Sequence, residues 1–259
     1  MSTAIPARDL PGMLDVLVAD PGRPRLTWYG DMSERVELSG AVLVNWVSKT
    51  VNLLVEEMDA APGSVVVVDL PVHWRSVVWA LAAWRCGATV VVPDGGPADA
   101  PVGTPDVVVT TRPRAWADAH RGGADLVAVA LPALARRFDG DLPPGAFDAA
   151  AAVMTYGDVI SWAPDADPER VALEAPGAAG VAFAHLLGVD ADAPGAGGGE
   201  RLLVAGDRPA GAVLRHLLAA WAADGSVVLA SADTADELRA DPARLARLRE
   251  TERVTAGSL

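Results

Sequence analysis

The sequence predicts an α/β protein of two related lobes, each a mostly parallel sheet flanked by helices, and three observations carry that expectation. A helix-glycine-strand block occurs twice, as Leu81-Ala-Ala-Trp84-Arg-Cys-Gly87-Ala-Thr-Val-Val91 and as Leu218-Ala-Ala-Trp221-Ala-Ala-Asp-Gly225-Ser-Val-Val228. Each copy follows an apolar run that ends in a proline turn, Val65 to Pro71 and Leu202 to Pro209. Leu214, Leu217, Leu218 and Trp221 fall at i, i+3, i+4 and i+7, as do Val77, Ala80, Leu81 and Trp84, the stripe by which a helix buries one face on a sheet. Gly87 and Gly225 follow the helical pattern, where a residue without a Cβ closes a helix in a left-handed conformation. The β-branched runs beyond them are apolar at nearly every position, which suits parallel strands buried on both faces and right-handed crossovers.

The remaining elements follow in order. Pro11 to Ala19 reads as a short helix, and Pro21, Gly22 and Pro24 as a turn. Leu26 to Tyr29 is expected as an edge strand. Leu38, Ser39 and Leu43 form a helix-start signature, with Ser39 as N-cap and the two leucines as a hydrophobic staple, and the helix runs to about Met58. Pro62-Gly63 breaks it. Val107 to Thr111 and Leu126 to Ala130 extend the first sheet around a helix near Arg114 to His120. Leu142 to Pro168, rich in Ala, Pro, Gly and Asp, is the expected boundary, which gives lobes of 1–163 and 164–259. Val171 to Ala175 then reads as a strand, Val181 to Leu187 as a helix, Asp190 to Gly199 as a water-exposed loop and Pro242 to Glu250 as a last helix with one charged face.

With 259 residues, of which 51% are hydrophobic, the chain can bury one large core or two smaller ones. A formal charge of -13 disfavours a phosphate backbone as partner, so no nucleic acid is expected. No apolar stretch approaches bilayer length, and the N-terminus lacks a charged segment followed by an apolar one. The expectation is therefore a cytoplasmic protein without a membrane partner. A single cysteine, Cys86, excludes an intrachain disulfide framework and a cysteine-rich metal site. The histidines, His73, His120, His185 and His216, have no metal-ligand spacing, and no metal is expected. Ser161, Ser226 and Ser231 lack the glycines of a nucleophile elbow, and Gly195 to Gly199 lacks the Lys-Ser or Lys-Thr ending of a nucleotide loop. Core packing accounts for Trp84 and Trp221 better than a binding patch does.

In open parallel sheets ligands sit beyond the carboxyl ends of the strands. The residues there are Asp69, His73, Trp74 and Arg75 after one strand, Asp94 after the next, and Asp207 and Arg208 after the repeat. These are the ligand-binding candidates. A His and a carboxylate in reach of each other can do acid-base work. The plainer alternative is that Asp69 and Asp207 tether loops and His73 is a solvated turn residue.

Leu26-Thr-Trp-Tyr29, the long helix, Pro62-Gly63 with its valine strand, and Leu81 to Asp94 with its Cys-Gly-Ala-Thr-Val-Val-Val-Pro-Asp ending resemble the N-terminal part of the adenylate-forming, AMP-binding enzymes. These include acyl-CoA synthetases and nonribosomal adenylation domains. The resemblance is most specific at Leu81 to Asp94, where that superfamily has a run of the form Leu-Lys-Ala-Gly-Ala-x-Tyr-Val-Pro-Leu-Asp. It covers most of the chain but only about the first half of such an enzyme. More narrowly, the chain resembles a small uncharacterised actinobacterial family distantly similar to AMP-binding enzymes.

The superfamily's phosphate loop carries hydroxyl residues, glycines and a Pro-Lys-Gly ending that together hold ATP phosphates. Its counterpart here, Ala175-Pro-Gly177-Ala-Ala-Gly180-Val-Ala-Phe-Ala-His185, keeps Gly177 and Gly180 but no hydroxyl and no lysine. Lys49, the one lysine in the chain, falls in the first long helix. The resemblance places the metal-binding acid, the ribose-binding aspartate and the mobile C-terminal lysine beyond Leu259. It therefore implies a non-catalytic relative with no cofactor and a binding or regulatory role, a pseudoenzyme whose partner is a small-molecule ligand. Two alternatives stand beside it: residual adenylating or acyl-transfer chemistry completed by a separate C-terminal chain, and a structural protein that pairs with a second copy or another protein.

Overall fold

The apolar runs and stripes become strands and helices close to where the sequence puts them. The computed structural model describes residues 7–97, 104–188 and 198–259. The chain runs through α1 (Leu10–Ala19), β1 (Pro24–Tyr29), β2 (Arg35–Ser39), α2 (Gly40–Met58), β3 (Val65–Asp69), α3 (Trp74–Arg85), β4 (Thr89–Val91), β5 (Val107–Thr110) and α4 (Ala117–Arg121). It continues through β6 (Asp125–Ala128), β7 (Phe147–Asp148), α5 (Ala149–Ala152), β8 (Val171–Glu174), β9 (Val181–Ala182), α6 (Phe183–Leu186), β10 (Arg201–Ala205), α7 (Ala210–Ala222), β11 (Ser226–Ala230), α8 (Ala232–Ala240), α9 (Pro242–Thr251) and β12 (Ala256–Ser258).

Two sheets result, a five-stranded one in the order β12-β10-β11-β1-β2 and a seven-stranded one in the order β7-β6-β5-β3-β4-β8-β9. All pairings are parallel except the outer ones of β2 and β9. The near-continuous apolar runs explain this, because β3, β4, β5 and β11 each carry a single polar residue and have no polar face to turn to water. The five strands β12-β10-β11-β1-β2 repeat β5-β3-β4-β8-β9 in order and in direction.

The chain separates into two compact units, one of 1–44, 72–74 and 184–259 and the other of 45–71 and 75–183. The expected division into 1–163 and 164–259 is not the one the strands follow. The hairpin β1-β2 enters the sheet of β10 and β11, and β8-β9 enters that of β3 and β4. Each half of the sequence thus contributes its first two strands to the sheet that the other half completes. The cause is long-range pairing, Leu26 with Val227 and Leu173 with Val90, which leaves no local trace.

Local rules account for the rest. Ser39 Oγ accepts from the Val42 amide at 3.3 Å, and Leu38 and Leu43 are both buried, so the expected cap and staple at the start of α2 are present. Leu26–Tyr29 is not at an edge, since β1 lies between β11 and β2 and the edge belongs to β2. Val181 to Leu187 is not one helix: Val181 and Ala182 pair with β8, and the helix begins only at Phe183. Of the expected Asp190–Gly199 loop, only Gly198 and Gly199 lie within the described residues. Trp84 and Trp221, both fully buried, donate their indole N–H to the Ala172 carbonyl at 2.6 Å and to the Arg25 carbonyl at 3.0 Å. Each acceptor lies on the strand next beyond the repeat.

Candidate functional site

The strand-end candidates lie at the carboxyl ends of parallel strands, where ligands collect. The structure ties most of them into the protein itself. Asp69, at the end of β3 and 7% exposed, accepts from Thr110 Oγ1 at 2.8 Å, from Arg112 Nη2 at 2.7 Å and from Trp116 Nε1 at 2.8 Å. The carboxylate welds the ends of β3 and β5 together, which is the tethering alternative. Arg75 is buried and donates to the carbonyls of Leu131, Pro132 and Ala133, with its guanidinium 5.5 Å from the centre of the Trp46 ring. It fastens the segment after β6.

His73 is not a solvated turn residue. It is 4% exposed, meets the Trp28 ring edge-on at 4.7 Å, and its Nε2 lies 4.0 Å from Glu34 Oε2. Glu34 in turn accepts from Trp28 Nε1 at 3.3 Å. Trp74 is buried beside His73, its ring centre 5.7 Å away. Asp94 is exposed in the turn after β4. Asp207 pairs with Arg239 at 2.8 Å, and Arg208 is exposed. Asp69 and Arg75 belong to one unit, and His73, Trp74, Asp207 and Arg208 to the other.

The counterpart of the phosphate loop joins β8 to β9. Gly177 has φ +71 and an open surround, and Gly177 to Gly180 are exposed. Backbone amides are all that the Gly177–Gly180 segment offers an anion. Lys49 sits on α2 and donates its ammonium to the Tyr156 carbonyl. Among the described residues no group of three or more His, Cys, Asp or Glu gathers to hold a metal.

A different cluster, with none of the strand-end candidates in it, lies in the unit built on the five-stranded sheet. A cavity of about 550 Å³ is lined by Arg23, Arg35, Arg201 and Arg253 together with Tyr29, Glu37 and Glu252. Glu252, 6% exposed, accepts from Tyr29 Oη at 2.6 Å, Arg35 Nε at 3.0 Å and Arg201 Nη2 at 2.6 Å. Burial alone would push its carboxyl up, but these donors outweigh burial and hold it below the ordinary range. Burial and the Glu252 carboxylate together push the Tyr29 phenol up. Arg35 also reaches Glu37 at 2.6 Å, and Arg201 reaches Thr27 Oγ1 at 2.8 Å.

No protein-family model matches the chain. A TIGR03089 family protein of Mycobacterium tuberculosis is 35% identical over 252 residues, which cover 93% of each chain. The chain belongs to the TIGR03089 family. Solved structures add the fold of this family member. It matches an acyl-CoA synthetase from Brucella canis with TM-score 0.64 at 17% identity, over 96% of this chain and 50% of that one. The amide bond synthetase McbA from Marinactinospora thermotolerans gives 0.61 at 17%, over 95% and 47%. McyG A-PCP, complexed with phenylalanyl-adenylate, gives 0.69 at 12%, over 96% and 46%. The chain thus spans about half the length of these structures, and at such identities the likeness is one of fold.

The TIGR03089 family chain therefore has the fold of the half of these structures that it covers, in keeping with the resemblance at Leu81–Asp94. What the motif could not supply is the arginine cavity. Tyr29, Arg35, Arg201 and Glu252 stand up to 223 residues apart, and no spacing rule joins them. The one local signal is Arg253, at a helix end where glycine is the usual residue.

Proposed function

We propose that the protein is a non-catalytic relative of the adenylate-forming enzymes, a cytoplasmic pseudoenzyme that binds a small molecule or regulates a partner. One observation carries this reading. The Ala175–His185 segment presents neither a hydroxyl nor an ammonium, and the chain's one lysine is engaged with the Tyr156 carbonyl. Triphosphate binding draws on both groups in addition to backbone amides. The strand-end side chains support it further, since Asp69 and Arg75 are committed to internal bonds. No helix among the described residues is long and apolar enough to cross a membrane.

ATP-pyrophosphate exchange with magnesium across a panel of carboxylic acids tests the reading. The expected outcome is exchange at the level of the protein-free control. Robust, metal-dependent exchange overturns it, as would ATP phosphates ordered against Gly177 to Gly180 in a crystal.

A further inference from the structure

We propose that the arginine-lined cavity beside Glu252 is a binding site for a small molecule bearing an oxyanion, carboxylate or phosphate. Charge is the first argument. The protein as a whole carries 34 acidic side chains against 21 basic ones, yet this cavity gathers four arginines and two glutamates. A local excess of guanidinium in so acidic a chain is the reverse of what its composition would place there. At about 550 Å³ the cavity lies within the range of roughly 300–1,000 Å³ that small-molecule sites occupy.

Geometry is the second argument. Glu252 holds Arg35 and Arg201 in fixed positions through its two oxygens, at 3.0 and 2.6 Å, so two guanidinium forks are set before any ligand arrives. Arg201 also donates to Ser226 Oγ and Thr27 Oγ1, and Arg35 to Glu37, so both guanidiniums are fixed in the cavity wall and an approaching anion need not order them. Glu252 is thus a positioning residue.

Arg253 is the third. α9 ends in a Schellman motif, with the Arg253 amide on the Glu250 carbonyl at 3.2 Å and the Val254 amide on the Arg249 carbonyl at 2.9 Å. The motif puts Arg253 in the left-handed region, φ +54, where glycine would sit without strain. A residue kept in a disfavoured conformation points to a use for its side chain. Arg253 lines the cavity, is exposed, and has no ion-pair partner among the described residues. It is the cation that remains for a ligand.

This goes beyond the proposed function and fails separately from it, because a chain that did catalyse pyrophosphate exchange would still have this cavity. The test is a thermal-shift and calorimetric titration of the full chain with inorganic phosphate and with citrate, at constant ionic strength. The wild type is expected to show a saturable rise in Tm with one or both anions, and which anion binds more tightly tells phosphate from carboxylate chemistry. Arg253→Gly is expected to fold at least as well as the wild type, since it relieves the left-handed strain, and to bind at least tenfold more weakly. Arg253→Lys should keep part of the affinity. No saturable shift in the wild type with either anion overturns the proposal. So does Arg253→Gly binding as tightly as the wild type.

Discussion

The two strand-helix-strand copies, β3-α3-β4 and β10-α7-β11, bury the same stripe and end it differently. Register makes the comparison residue by residue: Val90 pairs with Leu173 as Val227 pairs with Leu26, so Trp84 matches Trp221 and Gly87 matches Asp224, not Gly225. Both helices close with a Schellman motif. In the first, Gly87 takes the left-handed position at φ +74; in the second Asp224 takes it at φ +58. The aspartate uses the position to reach Arg25 Nη1 at 2.7 Å and Arg23 Nη1 at 3.3 Å. Gly225 is needed for another reason, since a Cβ there would lie 2.7 Å from the carbonyl oxygens of Ala220 and Glu200. The strand ends differ in the opposite sense. β3 closes on Asp69, which holds Arg112, while its counterpart in β10 is Ala205. The two copies share the packing of helix on sheet, and each turns its acid to different arginines, Asp69 to Arg112 and Asp224 to Arg25 and Arg23.

The shared feature carries the largest expected effect. Truncating either tryptophan, Trp84→Ala or Trp221→Ala, should cost about 3–5 kcal/mol in denaturant unfolding, as for a large buried aromatic. The phenylalanine variants sharpen the comparison, because they keep most of the ring and leave a buried carbonyl without its donor, at about 1–3 kcal/mol. If Trp84→Phe and Trp221→Phe differ by more than that range, the two indoles do not play equivalent parts.

Exchanging the caps comes next. Gly87→Asp places a Cβ 2.8 Å from Pro62 Cγ and 3.3 Å from Ala166 Cα in a left-handed backbone, and should destabilise by roughly 1–3 kcal/mol. Asp224→Gly removes a left-handed aspartate, which favours the variant by up to about 1 kcal/mol. It also strips Arg25, 1% exposed, of its carboxylate, and that loss is the larger. Net destabilisation of about 1–2 kcal/mol is expected. An Asp224→Gly variant more stable than the wild type would show the cap to be a relic and not a tether.

The sequence shows what repeats locally and hides what pairs at a distance. Leu214, Leu217, Leu218 and Trp221 declare their face at helical spacing, and Val65 to Asp69 declares a buried strand. The pairings of β1 with β11 and β8 with β4 have no such signature, which is why contiguous lobes are the natural expectation and an exchange of hairpins is the finding. β12 is hidden for a related reason. Its Ala-Gly-Ser has little strand propensity and relies on Gly257, φ +84, where a Cβ would meet the Leu203 carbonyl oxygen at 2.3 Å. The glycine pair Gly177 and Gly180 could be read directly, as could the missing lysine. The Glu252 cluster could not, because its donors come from β1, β2 and β10.

The smallest effect concerns the residue just before the left-handed cap. Cys86 stands where the second copy has Ala223, so Cys86→Ala converts one copy to the other at a cost of about 1 kcal/mol or less. The thiol itself is the better probe. Burial pushes its pKa up to about 12, so the native thiol at pH 8 is almost entirely protonated and shielded. Labelling by a disulfide reagent then requires the β3-α3-β4 copy to open, and its rate reports that opening. Ala223→Cys on a Cys86→Ala background puts the same probe in the second copy, at a position only partly buried. It should label faster under native conditions, and the two rates should converge in denaturant. Equal native rates would mean that the two copies open together.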